Sequence, residues 1–135
     1  MIRRYSILTV IILVLFLFCI SCSEDGPVNV SVDGALVETG LEVDQDYRIV
    51  STRTDFTAEQ DFYFYFFNNQ PFGSDRLTVQ LVDGRNEKVL AEHTYEVDPL
   101  DESLTDGIYF DNTGTYYITV RIDGIVRASR EVTIK

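Results

Sequence analysis

Residues 62–67 read Phe-Tyr-Phe-Tyr-Phe-Phe, an unbroken aromatic run. With a strand's period of two, Phe62, Phe64 and Phe66 share one face, and Tyr63, Tyr65 and Phe67 share the other. One set must fill a core, so the run demands a sheet with something packed on it. The same alternation recurs along the body, rich in Val, Ile, Thr, Tyr and Phe and punctuated by Asp-Gly. No stretch of the body repeats its apolar residues at a helical period.

The other strands follow from this pattern. Val28, Val30 and Val32 alternate with polar residues before Asp33-Gly34, and 46–54 is a weaker strand. Residues 77–82 are a strong one. From Lys88 to Asp98, the residues Val89, Ala91, His93, Tyr95 and Val97 face one way, with Lys88, Glu92, Thr94 and Glu96 opposite. A long acidic loop over 98–107 leads to a short strand at 108–110.

The chain ends in two strands around Asp123-Gly124. Tyr116, Ile118, Val120 and Ile122 form one apolar face; Val126, Ala128, Val132 and Ile134 form the other. A plain two-residue turn pairs Val120 with Arg127. A three-residue loop, Ile122-Asp123-Gly124, pairs Val120 with Val126 and Ile118 with Ala128, so the pattern predicts that loop. Arg130 falls on the apolar face and is expected near the sheet rim.

Seven or eight short strands in about 110 residues predict an all-β antiparallel sandwich. The segment Asn112-Thr113-Gly114-Thr115-Tyr116-Tyr117-Ile118 resembles the start of strand F in immunoglobulin-like domains. That resemblance implies a tyrosine corner at Tyr116, with Ile118 where antibody domains have cysteine. The core tryptophan and the cysteine pair of antibody domains are missing, so the chain resembles the wider immunoglobulin-like class of bacterial surface proteins.

The N-terminus places the domain. Met1-Ile2-Arg3-Arg4 precedes an apolar run from Ile7 to Ile20, broken only by Thr9. Those 14 residues fall short of the roughly 20 that span a bilayer and describe a secretory signal. Cys19-Ile20-Ser21-Cys22 resembles the lipobox of bacterial lipoproteins, although Cys19 stands where leucine is usual. The resemblance implies cleavage before Cys22 and acylation of its sulfur. A redox or zinc pair needs a folded context or partner ligands, and this pair lies inside the apolar signal.

The expected organisation is a signal peptide over 1–21, the lipidated Cys22 and an acidic tether over 22–27, and an immunoglobulin-like domain over 28–135. Ser23-Glu24-Asp25-Gly26 resembles the acidic surface-export signal of Bacteroidetes-type lipoproteins and reads equally as a solvated tether. Loss of Arg3 and Arg4 leaves nine basic against 22 acidic side chains, a mature charge of −13. That balance disfavours nucleic acid and repels anionic headgroups, so the lipid must hold the domain at the membrane. Ser23 gives no aspartate-type inner-membrane retention signal, which favours the outer membrane. The mature domain has no disulfide and depends on its hydrophobic core.

Chemistry is hard to assemble from these residues. His93, the one histidine, lies on an apolar face and is expected buried or half-buried as a structural group. There is no nucleophile elbow, and zinc needs several His or Cys ligands. No cofactor is expected. Asp98, Asp101, Glu102 and Asp106 crowd one loop and are weak calcium candidates, with a solvated acidic loop as the plainer reading. Tyr63, Tyr65 and Phe67, with Phe72 in the following Asn-rich loop, are the candidate binding surface unless a loop covers them. The sequence therefore predicts a non-catalytic interaction or scaffold module with an envelope or surface protein as partner. The alternative is a small-ligand or glycan-binding surface lipoprotein, supported in part by calcium.

Overall fold

A computed structural model describes residues 29–135. The signal, Cys22 and the acidic tether lie outside the described residues. Eight strands follow in chain order: β1 (Leu36–Gly40), β2 (Asp55–Phe56), β3 (Phe62–Phe67), β4 (Arg76–Asp83), β5 (Val89–Glu96), β6 (Ser103–Ile108), β7 (Gly114–Ile122) and β8 (Ile125–Ile134). They form a three-stranded sheet, β1-β3-β6, and a five-stranded sheet, β2-β8-β7-β4-β5. All pairings are antiparallel except the short β2–β8 contact.

The aromatic run supplies the centre. Phe62, Phe64 and Phe66 are at most 1% exposed and pack against Leu77, Val79, Ile118 and Val120 of the facing sheet. At one end, rings form a column. Phe56 stacks on Phe62 at 3.8 Å between centroids, and Phe110 stacks on Tyr116 at 4.3 Å. Tyr116 is buried, and its hydroxyl donates to the Asn112 carbonyl at 2.9 Å, the expected corner. Ile118, two residues on, is fully buried.

Both hairpins of the larger sheet carry bulges that the alternation did not predict. Ile122 pairs with Ile125, so the last turn has two residues, Asp123 and Gly124, with φ of +51° and +77°. Both angles are those of a type I′ turn. Val120 nonetheless meets Ala128, because Arg127 is an extra residue opposite the Val120–Arg121 step. The three-residue loop is thus corrected: the bulge, not a longer turn, restores the apolar register. Arg127 is held by Asn68 Oδ1 at 2.9 Å and by Asp33 at 3.5 Å. In the other hairpin Leu81 meets Ala91 but Val82 meets Val89. Leu90 is the extra residue, and Val89 turns to the opposite face from Ala91.

Other boundaries move for similar tertiary reasons. Residues 29–32 make no strand; they lie along the margin of β8 through one bridge, Ser31 to Ala128, and bonds such as Ser129 N–H to the Val30 carbonyl. β1, where no strand was expected, pairs instead with β3. The weak strand over 46–54 is a folded-over loop. The acidic loop is half its expected length, since β6 begins at Ser103 and pairs with β3. Arg130 sits opposite Ile118 on the inward face, at the lateral margin where β8 passes from residues 29–32 to β2; its Nε is buried and unpaired.

Candidate functional site: a tyrosine face beside an open sandwich edge

The outward face of the smaller sheet follows from its register. Tyr63 lies between Gly40 of β1 and Gly107 of β6; Tyr65 lies between Glu38 and Thr105; Phe67 lies between Leu36 and Ser103. Residues 41–54 fold over part of this face. Val43 bridges to Ile49, the Asp44 carboxylate accepts from the Asp46 and Arg48 amides, and the Thr105 hydroxyl donates to the Tyr47 carbonyl at 2.6 Å. Gly40 is required beneath this loop, because a Cβ there would come within 2.7 Å of the Ser51 carbonyl oxygen.

This cover decides the fate of the sequence-predicted surface. Tyr65 is 8% exposed and Phe72 is 5% exposed, so neither can present a ring to a partner. Phe72 stacks on Phe66 at 5.9 Å and closes one end of the core, since its amide donates to the Asp101 carbonyl and draws the Asn-rich loop inward. Phe67 is half-buried. Tyr63 alone of the four is exposed, at 38%. The four do not form one surface.

Two tyrosines not singled out by the sequence join it. Tyr109 is exposed, two residues past Gly107, on the same side as Tyr63 by alternation. Tyr47 projects from the tip of the covering loop, 70% exposed, with a φ of +59° that the surrounding hydrogen bonds hold. Gly107 leaves the floor open between them: a Cβ there would stand 3.8 Å from the Tyr63 ring. Tyr63 and Tyr109 therefore share one side by β6, and Tyr47 is exposed on the loop that Thr105 of the same strand anchors. Tyr109 was legible by parity once Gly107 is placed on a strand; Tyr47 sat in a polar loop with no period to mark it.

Beside this face the sandwich is open. Three strands cannot cover five, so β5 has no counterpart in the smaller sheet. Ala91, His93 and Tyr95 point inward, yet Ala91 and His93 are exposed. The histidine expected to be buried or half-buried is thus corrected: its face is the apolar one, but no described residue roofs it. His93 meets Tyr95 edge-on at 4.4 Å. A narrow cleft of about 90 Å³ runs between Val79, Leu81, Ala91, His93, Tyr95 and Ile108. The Tyr95 hydroxyl spans it to Asp106 Oδ2 at 2.6 Å. Burial, and then this carboxylate, push the Tyr95 phenol above its ordinary range.

The acidic candidates separate. Asp106 stands on β6 and serves Tyr95 and its neighbour's amide, and Asp98 accepts from the Leu100 amide inside its own turn. Among the described residues no group of three or more acidic, histidine or cysteine side chains is placed to hold a metal ion. Of the four weak calcium candidates, Asp98, Asp101 and Glu102 stay in the loop and Asp106 lies on β6, so they do not converge among the described residues.

On the far side, the outer face of the larger sheet holds a shallow groove of about 570 Å³. Its margins are aliphatic (Val30, Val32, Val82, Val89), and Arg121 is fixed in it by Gln80 at 2.9 Å and the Gly124 carbonyl at 3.0 Å. It has no aromatic lining.

No protein-family model matches the chain, and no curated protein matches it in sequence. Among solved structures, an immunoglobulin-like protein from Pseudomonas aeruginosa is similar in fold, with a TM-score of 0.53 at 13% identity; the match covers 81% of this chain and 98% of that one. The fold is an immunoglobulin-like β-sandwich.

Proposed function

We propose that this chain is a lipid-anchored protein of the bacterial envelope, assigned to the outer membrane by its Ser23, whose immunoglobulin-like domain is a non-catalytic interaction or scaffold module. The anchor is Cys22, read from the lipobox-like Cys19-Ile20-Ser21-Cys22. Six residues separate Cys22 from Asn29, about 25 Å over the seven chain steps if fully extended, so the domain works within reach of its bilayer. The observation that carries the interaction reading is the exposure of Tyr63 and Tyr109 beside Gly107, with Tyr47 exposed on the loop bonded to Thr105 of the same strand. Exposed tyrosine clusters are typical energetic centres of protein interfaces. The face is open, unlike the concave, largely enclosed sites that small ligands favour.

The test is site-specific photocrosslinking from position 63 in the native envelope. The expected result is one adduct with an envelope protein, lost in the Tyr47→Ala/Tyr109→Ala double variant while the fold is retained. Recovery of the chain without an adduct would end the interaction reading. The anchor is tested separately: Cys22→Ser should abolish acylation and release the chain from membranes. An unmodified Cys22 in the natural protein would remove the anchor and leave the tyrosine face to stand alone.

A further inference from the structure

We infer that β5 is a docking edge for an extended, basic segment of a partner protein, which would add a sixth strand to the larger sheet. This surface is distinct from the tyrosine face and does not depend on it. β5 is eight residues long and terminates the five-stranded sheet. Apart from Tyr95, every residue of it is exposed. Such an edge offers a row of unpaired backbone groups.

Which groups are free follows from the ladder. The Val97 amide donates to the Asp75 carbonyl, so that pair is hydrogen-bonded. Bonded and non-bonded pairs then alternate along an antiparallel ladder. Glu96, Thr94 and Glu92, opposite Arg76, Thr78 and Gln80, are the non-bonded positions on the β4 side. Their amides and carbonyls point away from the sheet, ready for another strand.

The two sides of the edge define the occupant. On the inward side, the cleft along Ala91, His93 and Tyr95 is roofless, because β6 stops short of β5. Alternate apolar side chains of an added strand would enter it. On the outward side stand Glu92 and Glu96, both exposed, on a chain with 22 acidic and 11 basic residues. Basic residues at the intervening positions would meet them. A second copy fits less well: antiparallel self-pairing centred on Thr94 sets Glu92 of each copy against Glu96 of the other, and like charges directly opposite destabilise a sheet. A partner segment alternating basic and aliphatic residues satisfies both faces and the backbone together.

The probe is a fluorescent ten-residue peptide alternating lysine and valine, titrated by anisotropy against the full chain purified in detergent. Saturable binding is expected, with a scrambled peptide of the same composition at least tenfold weaker. Thr94→Pro should weaken binding tenfold or more, because it deletes an outward amide and leaves the β4 ladder intact; Thr94→Val should bind as the parent does. Glu92→Gln with Glu96→Gln should weaken binding several-fold and flatten its salt dependence. The Tyr47→Ala/Tyr63→Ala/Tyr109→Ala variant should bind normally, which separates this edge from the tyrosine face. Should Thr94→Pro unfold, the peptide with N-methylated alternate amides gives the same information from the other partner and should not bind. Equal binding of the scrambled or N-methylated peptide would overturn the proposal. So would a dimer, seen by sedimentation, that dissociates in Thr94→Pro while the peptide does not bind.

Discussion

The Tyr95 hydroxyl and the Asp106 carboxylate meet at 2.6 Å across the gap between β5 and β6, tying the edge of one sheet to the edge of the other. The contact compensates for a mismatch in sheet width. Five strands face three, and the hydrogen bond crosses the cleft on the uncovered inward side of β5. It also fixes the relation between the proposed docking edge and the tyrosine face, because Asp106 is the residue before Gly107.

Tyr95→Phe should cost about 1 kcal/mol, less than the usual worth of a hydrogen bond to a charged group, since solvent screens it. The native phenol titrates above its ordinary range, from burial first and then Asp106. A group whose folded pKa is raised holds its proton longer in the folded state. Its stabilisation is complete below the unfolded phenol pKa, about 10, and is lost as pH rises through the folded value. Thermal melts from pH 8 upward should fall more steeply for the parent chain than for Tyr95→Phe.

Tyr116→Phe removes the corner bond to the Asn112 carbonyl while keeping the ring stacked on Phe110. A loss of about 1–1.5 kcal/mol is expected by urea denaturation, with an unchanged m-value. An effect below a few tenths would mean that the bond to Asn112 contributes nothing to the start of β7.

The two faces of the aromatic run should respond oppositely. Phe64→Ala opens a cavity in a site with no exposure and should cost about 3–5 kcal/mol. Tyr63→Ala, on the exposed side, should stay within about 1 kcal/mol. Equal losses would mean that Tyr63 is structural and would undermine the proposed interface.

Arg130 turns inward between Ala128 and Val132 with an unpaired, buried Nε. Burying that group without a partner is unfavourable, so Arg130→Met should be neutral or stabilising by up to about 1 kcal/mol. Destabilisation beyond that would show that its charge has a partner in solution.

Asp83 opens the β4–β5 turn, and its carboxylate accepts from the Arg85 side chain and amide. Those bonds, the side-chain one first, hold its pKa below the ordinary carboxylate value. The contribution is present above the unfolded pKa, near 4, and is lost as pH falls through the lower folded one. Asp83→Asn should therefore flatten the acid limb of a Tm-against-pH curve below pH 4. An identical limb in both proteins would remove Asp83 from the acid response.

How much was legible depended on the range of the interaction. Alternation is a local property of the backbone, so β3, β4, β5, β7 and β8, the inward set Phe62, Phe64 and Phe66, and the tyrosine corner were readable from residue order. Bulges are not local. A pattern with Arg127 or Leu90 one residue out of step reads as a longer turn or as a continuous face until the partner strand shows where the extra residue goes. β1 and β6 had weak patterns of their own and exist because β3, a strongly apolar strand, needed neighbours on both sides.

The sequence by itself determined that this chain is an acidic β-sandwich with no cysteine beyond position 22 and a lipobox-like start, because composition and period act residue by residue. Only the tertiary structure decided which side chains meet solvent. A loop on another segment of the chain, residues 41–54, covers Tyr65, while a sheet two strands too narrow exposes His93 and the β5 edge. Exposure is a property of what lies across from a residue, and in this fold that is set by sheet width and loop placement, which no local pattern encodes.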